Sequence, residues 1–248
     1  MENQILKELK RVEEVNNVEL LFAVESGSRA WGFESPDSDY DVRFVYRRGC
    51  EAYLSLWDSK DTIEFMTEDN LDGSGWDFKK ATLLLSKSNA SFLGWLFSPI
   101  VYIERGDVLR NMKKLAIENF NPVSGFYHYQ SMNKGFYQGL KENDMDIKSF
   151  FYTARTALCA NWILKFGSIP PVRFKELYAL IDQESMQLFD TLMDKKATIK
   201  EKDKCEIDLR LVEVIHQIVT ENNNLKDVVE TRKANYKEFD RFFLNELL

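Results

Sequence analysis

Cysteine is scarce in this chain, and the three present, Cys50, Cys159 and Cys205, are widely spaced. Odd in number and without paired spacing, they form neither a disulfide framework nor a cysteine-based metal motif. Long apolar runs are lacking as well, and none approaches the roughly 20 residues that a membrane span needs. The opening Met-Glu-Asn-Gln does not have the basic-then-apolar layout of a signal peptide. A reduced, cytoplasmic setting without a membrane partner is the expectation. Basic excess is also missing. The formal net charge of -7 argues against broad, non-specific duplex binding, which needs a basic footprint. A local basic patch could still hold a phosphate or a nucleic-acid end. There is no internal repeat and no low-complexity segment. What is present is ordinary globular composition, with 44% apolar and 29% charged residues over 248 positions. That length buries a substantial core, in one large domain or two modest ones.

The stretch from Val24 to Gly32, with its continuation from Ser38 to Tyr46, organises the rest. Leu20 to Val24 reads as a buried strand that breaks into a glycine-bearing turn and a short helix. A second strand begins at Asp39 and Asp41. Strand side chains alternate between faces, so these two carboxylates point the same way and Tyr40 points oppositely. Such a pair is costly unless a cation sits between its members. Hard oxygen ligands suit magnesium, which takes one or two carboxylates together with substrate phosphates. Gly27 allows close backbone approach, and Ser28 with the following amides can meet a phosphate. A phosphate cradle beside a metal pair points to nucleotide chemistry. An EF-hand loop starting at Asp37 fails its own requirements: Val42 stands where a glycine is needed, and Arg48 where a glutamate is needed.

Around this centre, Ile5, Leu6, Leu9, Val12 and Val15 mark a helix over residues 2–16, ended by Asn16-Asn17. Further strands are expected at 62–66 and 99–103. The polar, glycine-rich stretch 69–75 reads as a loop, and 76–85 and 90–97 read as helices. From Val108 the pattern is helical, with segments near 108–118, 122–140, 146–166, 172–181, 184–194, 203–220 and 225–246. A boundary near 105 divides the chain into domains 1–105 and 106–248. Phe239, Phe242, Phe243 and Leu247 recur at helical spacing and read as core.

The string Glu25 to Phe33 followed by Ser35 to Phe44 closely resembles the signature of the DNA polymerase beta-like nucleotidyltransferase superfamily. Within it, the string is similar to the branch of predicted nucleotidyltransferases associated with RNA ligases. The resemblance implies an α+β fold: a small mixed-sheet nucleotidyltransferase domain followed by an all-helical, substrate-binding domain, with substrate in the cleft between. Asp39 and Asp41 would hold Mg2+ or Mn2+. The superfamily adds a third carboxylate from a neighbouring strand, and Glu64, alone in an apolar strand, is the candidate for that catalytic and metal-binding place. Asp77 competes with it, although an acidic residue at a helix start is favourable in its own right. Arg29 follows Ser28 and could touch a triphosphate. Arg43, on the Asp39/Asp41 face, could pair with those carboxylates or reach substrate phosphate.

In the helical half, Lys148, Tyr152 and Arg155 fall at i, i+4 and i+7, so they share one face. Two cations and a phenol in line could bind a triphosphate or an RNA phosphate, with the tyrosine stacked on a base. A solvated basic stripe is the plain alternative. The family tends to carry a Lys-Lys-Tyr-x-Tyr-x-x-Arg-Pro-like run here, and this chain has replaced its second lysine, one tyrosine and the proline. His128, Tyr129 and Lys134 lie where the family has an aromatic-rich helix; a lone helical histidine is more often structural than catalytic. The implied activity is transfer of a nucleoside monophosphate from a nucleoside triphosphate to an acceptor hydroxyl, with RNA 3′ ends the favoured acceptor. Nucleotidylation of a protein or small molecule is one alternative. A non-catalytic nucleotide-binding regulator, antitoxin-like in role, is another.

Overall fold

The computed structural model describes residues 1–248 except 69, 142–145, 201, 202, 204, 226–228 and 230, and the side chain of Lys141. The chain opens with α1 (Glu2–Asn16), β1 (Glu19–Glu25), α2 (Gly27–Trp31), β2 (Tyr40–Arg47), α3 (Cys50–Leu54), β3 (Thr62–Met66) and β4 (Leu71–Asp77). It continues with α4 (Phe78–Ser86), α5 (Ala90–Leu96), β5 (Val101–Glu104), α6 (Val108–Asn119), α7 (Pro122–Lys141) and α8 (Ile147–Phe166). A 3-10 helix at Phe174–Leu180 precedes α9 (Gln183–Lys196), α10 (Leu209–Leu225) and α11 (Tyr236–Leu247). Among the described residues no helix is long and apolar enough to cross a membrane. Parts of the helices expected from 203 and from 225 fall outside the described residues.

The fold is α+β. Five strands form one mixed sheet in the order β3-β4-β2-β1-β5, with β2 and β4 parallel and the other neighbours antiparallel. Alternation gives the sheet two apolar faces. Val42, Phe44 and Tyr46 of β2 meet Leu20 and Ala23 of β1 beneath the α1 stripe Ile5, Leu9 and Val12. Asn17 ends α1 in the left-handed conformation (φ 49°), its N–H returning to the carbonyl of Glu13. On the other face Phe22, Val24 and Val45 are buried. There Trp76 of β4 stacks on Trp95 of α5 with ring centroids 3.8 Å apart.

Strand β4 corrects the expected loop at 69–75, and it shortens the next helix to start at Phe78. Its glycines serve packing, not flexibility. A Cβ on Gly73 would lie 2.1 Å from the Phe65 ring, and one on Gly75 would lie 1.9 Å from the Phe44 ring. These two rings stack across the gap with centroids 6.2 Å apart. The strand therefore alternates Leu71, Gly73 and Gly75 on the α1 face with Asp72, Ser74 and Trp76 on the other.

The contacts divide the chain into two units. The first comprises 1–30, 39–119 and 233–248, and the second 31–38 and 120–232. Helices α6 and α11 thus belong with the sheet, not with the helical region expected from residue 106. The reason is packing: Phe78 of α4 lies against Phe242 and Phe243 of α11, with centroids 5.6 and 5.2 Å apart. In addition, Asn119 Nδ2 donates to Glu238 Oε2 at 3.1 Å. Of the four tail residues read as core, Phe239 and Phe242 are buried, and Phe243 and Leu247 are partly buried.

The second unit is built around α8, whose Phe150, Phe151, Ala154, Ala157 and Leu158 have no exposure. Phe151 stacks on Phe33 of the 31–38 segment at 4.8 Å. The buried Lys196 donates to Ser35 Oγ of the same segment at 2.8 Å.

Candidate active site

At the end of β1 the chain turns through Gly27, held at φ +61°. The amide of Ser26 donates to the Asp41 carbonyl at 2.9 Å, which pins the turn to β2. A Cβ on Gly27 would lie 2.0 Å from Asp41 Oδ2. Backbone conformation and space both demand glycine here. Ser28, next in the turn, is buried at 6% exposure. Arg29 donates from Nε to the Asp39 carbonyl at 3.1 Å, and its guanidinium lies 3.8 Å over the Tyr40 ring. Asp39 is exposed, one residue before β2 begins.

Behind this turn sits Glu25, with no exposure. Its Oε1 accepts the Asp41 amide at 2.7 Å, and its Oε2 accepts the Tyr102 hydroxyl in a short hydrogen bond. Burial pushes the Glu25 carboxyl up to about 6, against the pull of those two hydrogen bonds. Glu25 thus orients the backbone that carries Asp41.

Asp41 is paired in the parallel register with Asp72 of β4. Neighbouring strands lie about 4.8 Å apart, so two carboxylates stand side by side on one face. Arg43 bridges them. Its Nη2 donates to Asp41 Oδ1 at 2.8 Å and to Asp72 Oδ2 at 2.7 Å, and Nη1 donates to the Asp72 carbonyl at 3.0 Å. The Arg43 side chain is only 16% exposed, so one guanidinium offsets two partly buried negative charges. Of the two uses anticipated for Arg43, pairing with carboxylates is present, and one partner is a residue that sequence reasoning missed. The missed signal was a two-residue alternation at 71–76, hidden because its small members are glycines.

Glu64 occupies a different place. It is exposed on the edge strand β3, opposite Ser74 and in the row of Arg43. It shares the carboxylate face but stands two strands from β2. Together with Arg43, Phe65, Met66, Asp72 and Ser74 it lines an open hollow of about 540 Å³. Asp77 lies at the far end of β4, opposite Tyr46. It caps α4, accepting the Lys79 amide at 2.9 Å and the Tyr53 hydroxyl at 3.1 Å. Burial raises its pKa above the ordinary carboxylate value.

In the helical unit, Tyr152 packs edge-on to Trp31 and Phe136, with centroids 5.0 and 5.5 Å away. Arg155, at 4% exposure, places its guanidinium 4.4 Å over the Trp31 ring. Its Nη2 donates to the Val172 carbonyl at 3.5 Å and its guanidinium also meets the Tyr129 hydroxyl, while its Nε has no hydrogen-bond partner. This rules out the solvated stripe for Arg155. Lys148 is partly buried in the first turn of α8. His128 is half-buried on α7, and burial lowers its pKa.

Among the described residues no three His, Cys, Asp or Glu side chains form a ready metal cluster. The oxygen donors of Asp41 and Asp72 are nevertheless the hard type that Mg2+ or Mn2+ binds, and their adjacency already requires a cation, here supplied by Arg43.

The chain is 39% identical over 253 residues to a protein of Bacillus subtilis (strain 168) named Uncharacterized protein YcgL, covering 99% of this chain and 96% of that protein. A solved structure, that of a nucleotidyltransferase-like protein from Exiguobacterium sibiricum 255-15, aligns with 88% of this chain and 72% of its own, at 14% identity and a TM-score of 0.31. The model of the RNA repair pathway DNA polymerase beta family matches residues 1–245, and the chain belongs to that family.

Proposed function

We propose that this protein transfers a nucleoside monophosphate from a nucleoside triphosphate to an acceptor hydroxyl, with an RNA 3′ end as the acceptor. The observation that carries the reading is the side-by-side pair Asp41 and Asp72, with the Gly27 turn pressed against Asp41. Membership of an RNA repair family supports RNA as the acceptor.

In the reaction, the acceptor oxygen forms a bond to the α-phosphorus while the bridging P–O bond to the β-phosphate breaks. Pyrophosphate leaves with the electron pair. Asp39, Asp41 and Asp72 would hold Mg2+ or Mn2+, and Asp72 takes the place for which the sequence offered Glu64. A divalent ion bound there supplies charge neutralisation at the phosphoryl oxygens and lowers the pKa of the attacking hydroxyl. Asp72, which borders the open hollow, would accept the proton that the hydroxyl loses. Gly27, Ser28 and Arg29 orient the phosphates, and Arg43 can follow the negative charge from the carboxylates to the substrate. Lys148, Tyr152 and Arg155 form the second nucleotide-binding group. Support for that group lies in Arg155, a buried cation with no ion pair among the described residues.

The test uses the full chain, each labelled nucleoside triphosphate, Mg2+, and RNA with a free 3′ hydroxyl. Label should enter RNA with release of pyrophosphate, and Asp41→Asn should abolish this while the protein stays folded. Equal incorporation by wild type, Asp39→Asn and Asp41→Asn would overturn the assignment.

A further inference from the structure

We infer that the helical unit carries a second site, a pocket on α7, α8 and α10 that reads the edge of a nucleobase. It goes beyond the transfer reaction and does not depend on it. The pocket has a volume of about 210 Å³. On α7, Gln130, Asn133 and Tyr137 recur at steps of three and four, so one helix face supplies them. Ala160 of α8 leaves room where a larger side chain would fill the hollow, and Asn222 and Asn223 close it from α10.

The amides are fixed in orientation, and this gives the pocket a defined pattern. Asn133, only 6% exposed, donates from Nδ2 to the Thr153 carbonyl at 2.9 Å and to Thr156 Oγ1 at 3.0 Å. Both its N–H groups are spent, so Oδ1 is left as an acceptor without a partner among the described residues. Asn222, at 2% exposure, is locked by its donation to the Ala157 carbonyl at 2.9 Å and by the Asn161 amide it accepts at 3.0 Å. At the rim, Gln130 Nε2 donates to Asn223 Oδ1 at 3.3 Å, which leaves Gln130 Oε1 to accept and Asn223 Nδ2 to donate.

Fixed amide acceptors and donors within one small hollow match the mixed edge of a base, which Asn and Gln side chains read in pairs. Tyr137, hydrogen-bonded to His216, adds an aromatic ring for stacking. Lys134, exposed and without an ion pair among the described residues, suits the attached phosphate. The base can arrive on a free nucleotide or within single-stranded RNA.

Binding is measured in EDTA on the full-length Asp41→Asn chain, so that failure of transfer and failure of this pocket stay distinguishable. The probes are the four nucleoside monophosphates, a short single-stranded RNA, and ribose 5-phosphate as the ligand without a base. At least one nucleotide or the RNA should bind well above ribose 5-phosphate. The rim substitutions Gln130→Ala and Asn223→Ala, which leave the buried amides in place, should each weaken it about fivefold. Tighter binding of RNA than of the monophosphates identifies the chain as the source of the base, and equal binding identifies the free nucleotide; both support the pocket. Ribose 5-phosphate binding as tightly as the nucleotides overturns it. So does unchanged affinity in both rim variants with their folding intact.

Discussion

Two charged groups in this chain stand at regular spacing, and their surroundings are opposite. In the sheet unit, Asp41, Asp72 and Arg43 are partly exposed and satisfy one another at 2.7–2.8 Å. In the helical unit, Arg155 is almost fully buried, faces a tryptophan ring, and keeps an unpartnered Nε. A strand ladder determines both the face of a side chain and its cross-strand neighbour, so spacing predicts company. A helix determines only the face. What that face meets depends on packing, and α8 is buried on nearly every side.

The largest effect should separate the two carboxylates beside the ladder. Asp72→Asn is expected to lower transfer on the order of a thousandfold, because a charge that would hold the metal and take up the hydroxyl proton is lost. Glu64→Gln, two strands from Asp41, should stay within about threefold of wild type. Single-turnover rates with triphosphate affinity measured alongside would decide it. The reverse pattern would return the third carboxylate to Glu64.

A smaller effect contrasts two glycines with positive φ. Gly27→Ala should cost about 3 kcal/mol, since left-handed strain adds to a Cβ 2.0 Å from Asp41 Oδ2. Gly32, at φ +83° but with nothing within 4 Å of its Cβ position, should cost only about 1 kcal/mol on the same change. Urea unfolding midpoints report both. Equal losses would mean that backbone strain alone matters and that the Asp41 contact relaxes freely.

Arg155 sharpens the comparison next. Arg155→Met retains much of the apolar stem and removes a buried charge that has no ion pair among the described residues, a change that is often neutral or stabilising. Stability should therefore hold, while triphosphate binding should weaken about tenfold if the guanidinium meets phosphate. Unchanged affinity would assign Arg155 to holding Trp31 in place and nothing more.

The Gly27 turn and the Asp39/Asp41 strand were legible because their residue types and alternation are dictated locally. The α1 stripe and most helices followed from apolar periodicity in the same way, whereas the mixed sheet came from the family resemblance. Strand β4 was not legible, since Gly73 and Gly75 imitate a loop while making room for Phe65 and Phe44 on other strands. Asp72 was lost with it. Discontinuity of the units was equally hidden: nothing local in the apolar stripe of α11 says that Phe242 and Phe243 meet Phe78, more than 160 positions earlier in the chain. The burial of Arg155 had a readable sign, however. Phe150, Phe151, Ala154, Ala157 and Leu158 leave α8 little polar surface, and a helix apolar on all sides is a buried one.

The smallest expected effect concerns Asp77, whose sequence position alone made it a rival for catalysis. Its carboxylate is spent on the α4 cap and the Tyr53 hydroxyl, at the opposite end of β4 from Asp72. Asn also caps helices well, so Asp77→Asn should leave transfer within about twofold and change stability by less than about 1 kcal/mol. Its pH dependence carries the finer signature. Burial raises the folded pKa of Asp77 above the unfolded value, so the native state binds the proton more tightly. Its contribution is fully present below the unfolded pKa and is lost as pH rises through the folded one. Arg48, Lys79 and Asp61 also face this carboxyl or its amide partner and are unchanged by the substitution, so the difference between the two proteins isolates Asp77. Wild type should lose stability relative to Asp77→Asn as pH rises across that window, and unfolding free energies measured from pH 3 to pH 7 test this directly. A difference of opposite sign would mean that Asp77 is held charged by its basic neighbours, and its place as a simple buried cap would have to be given up.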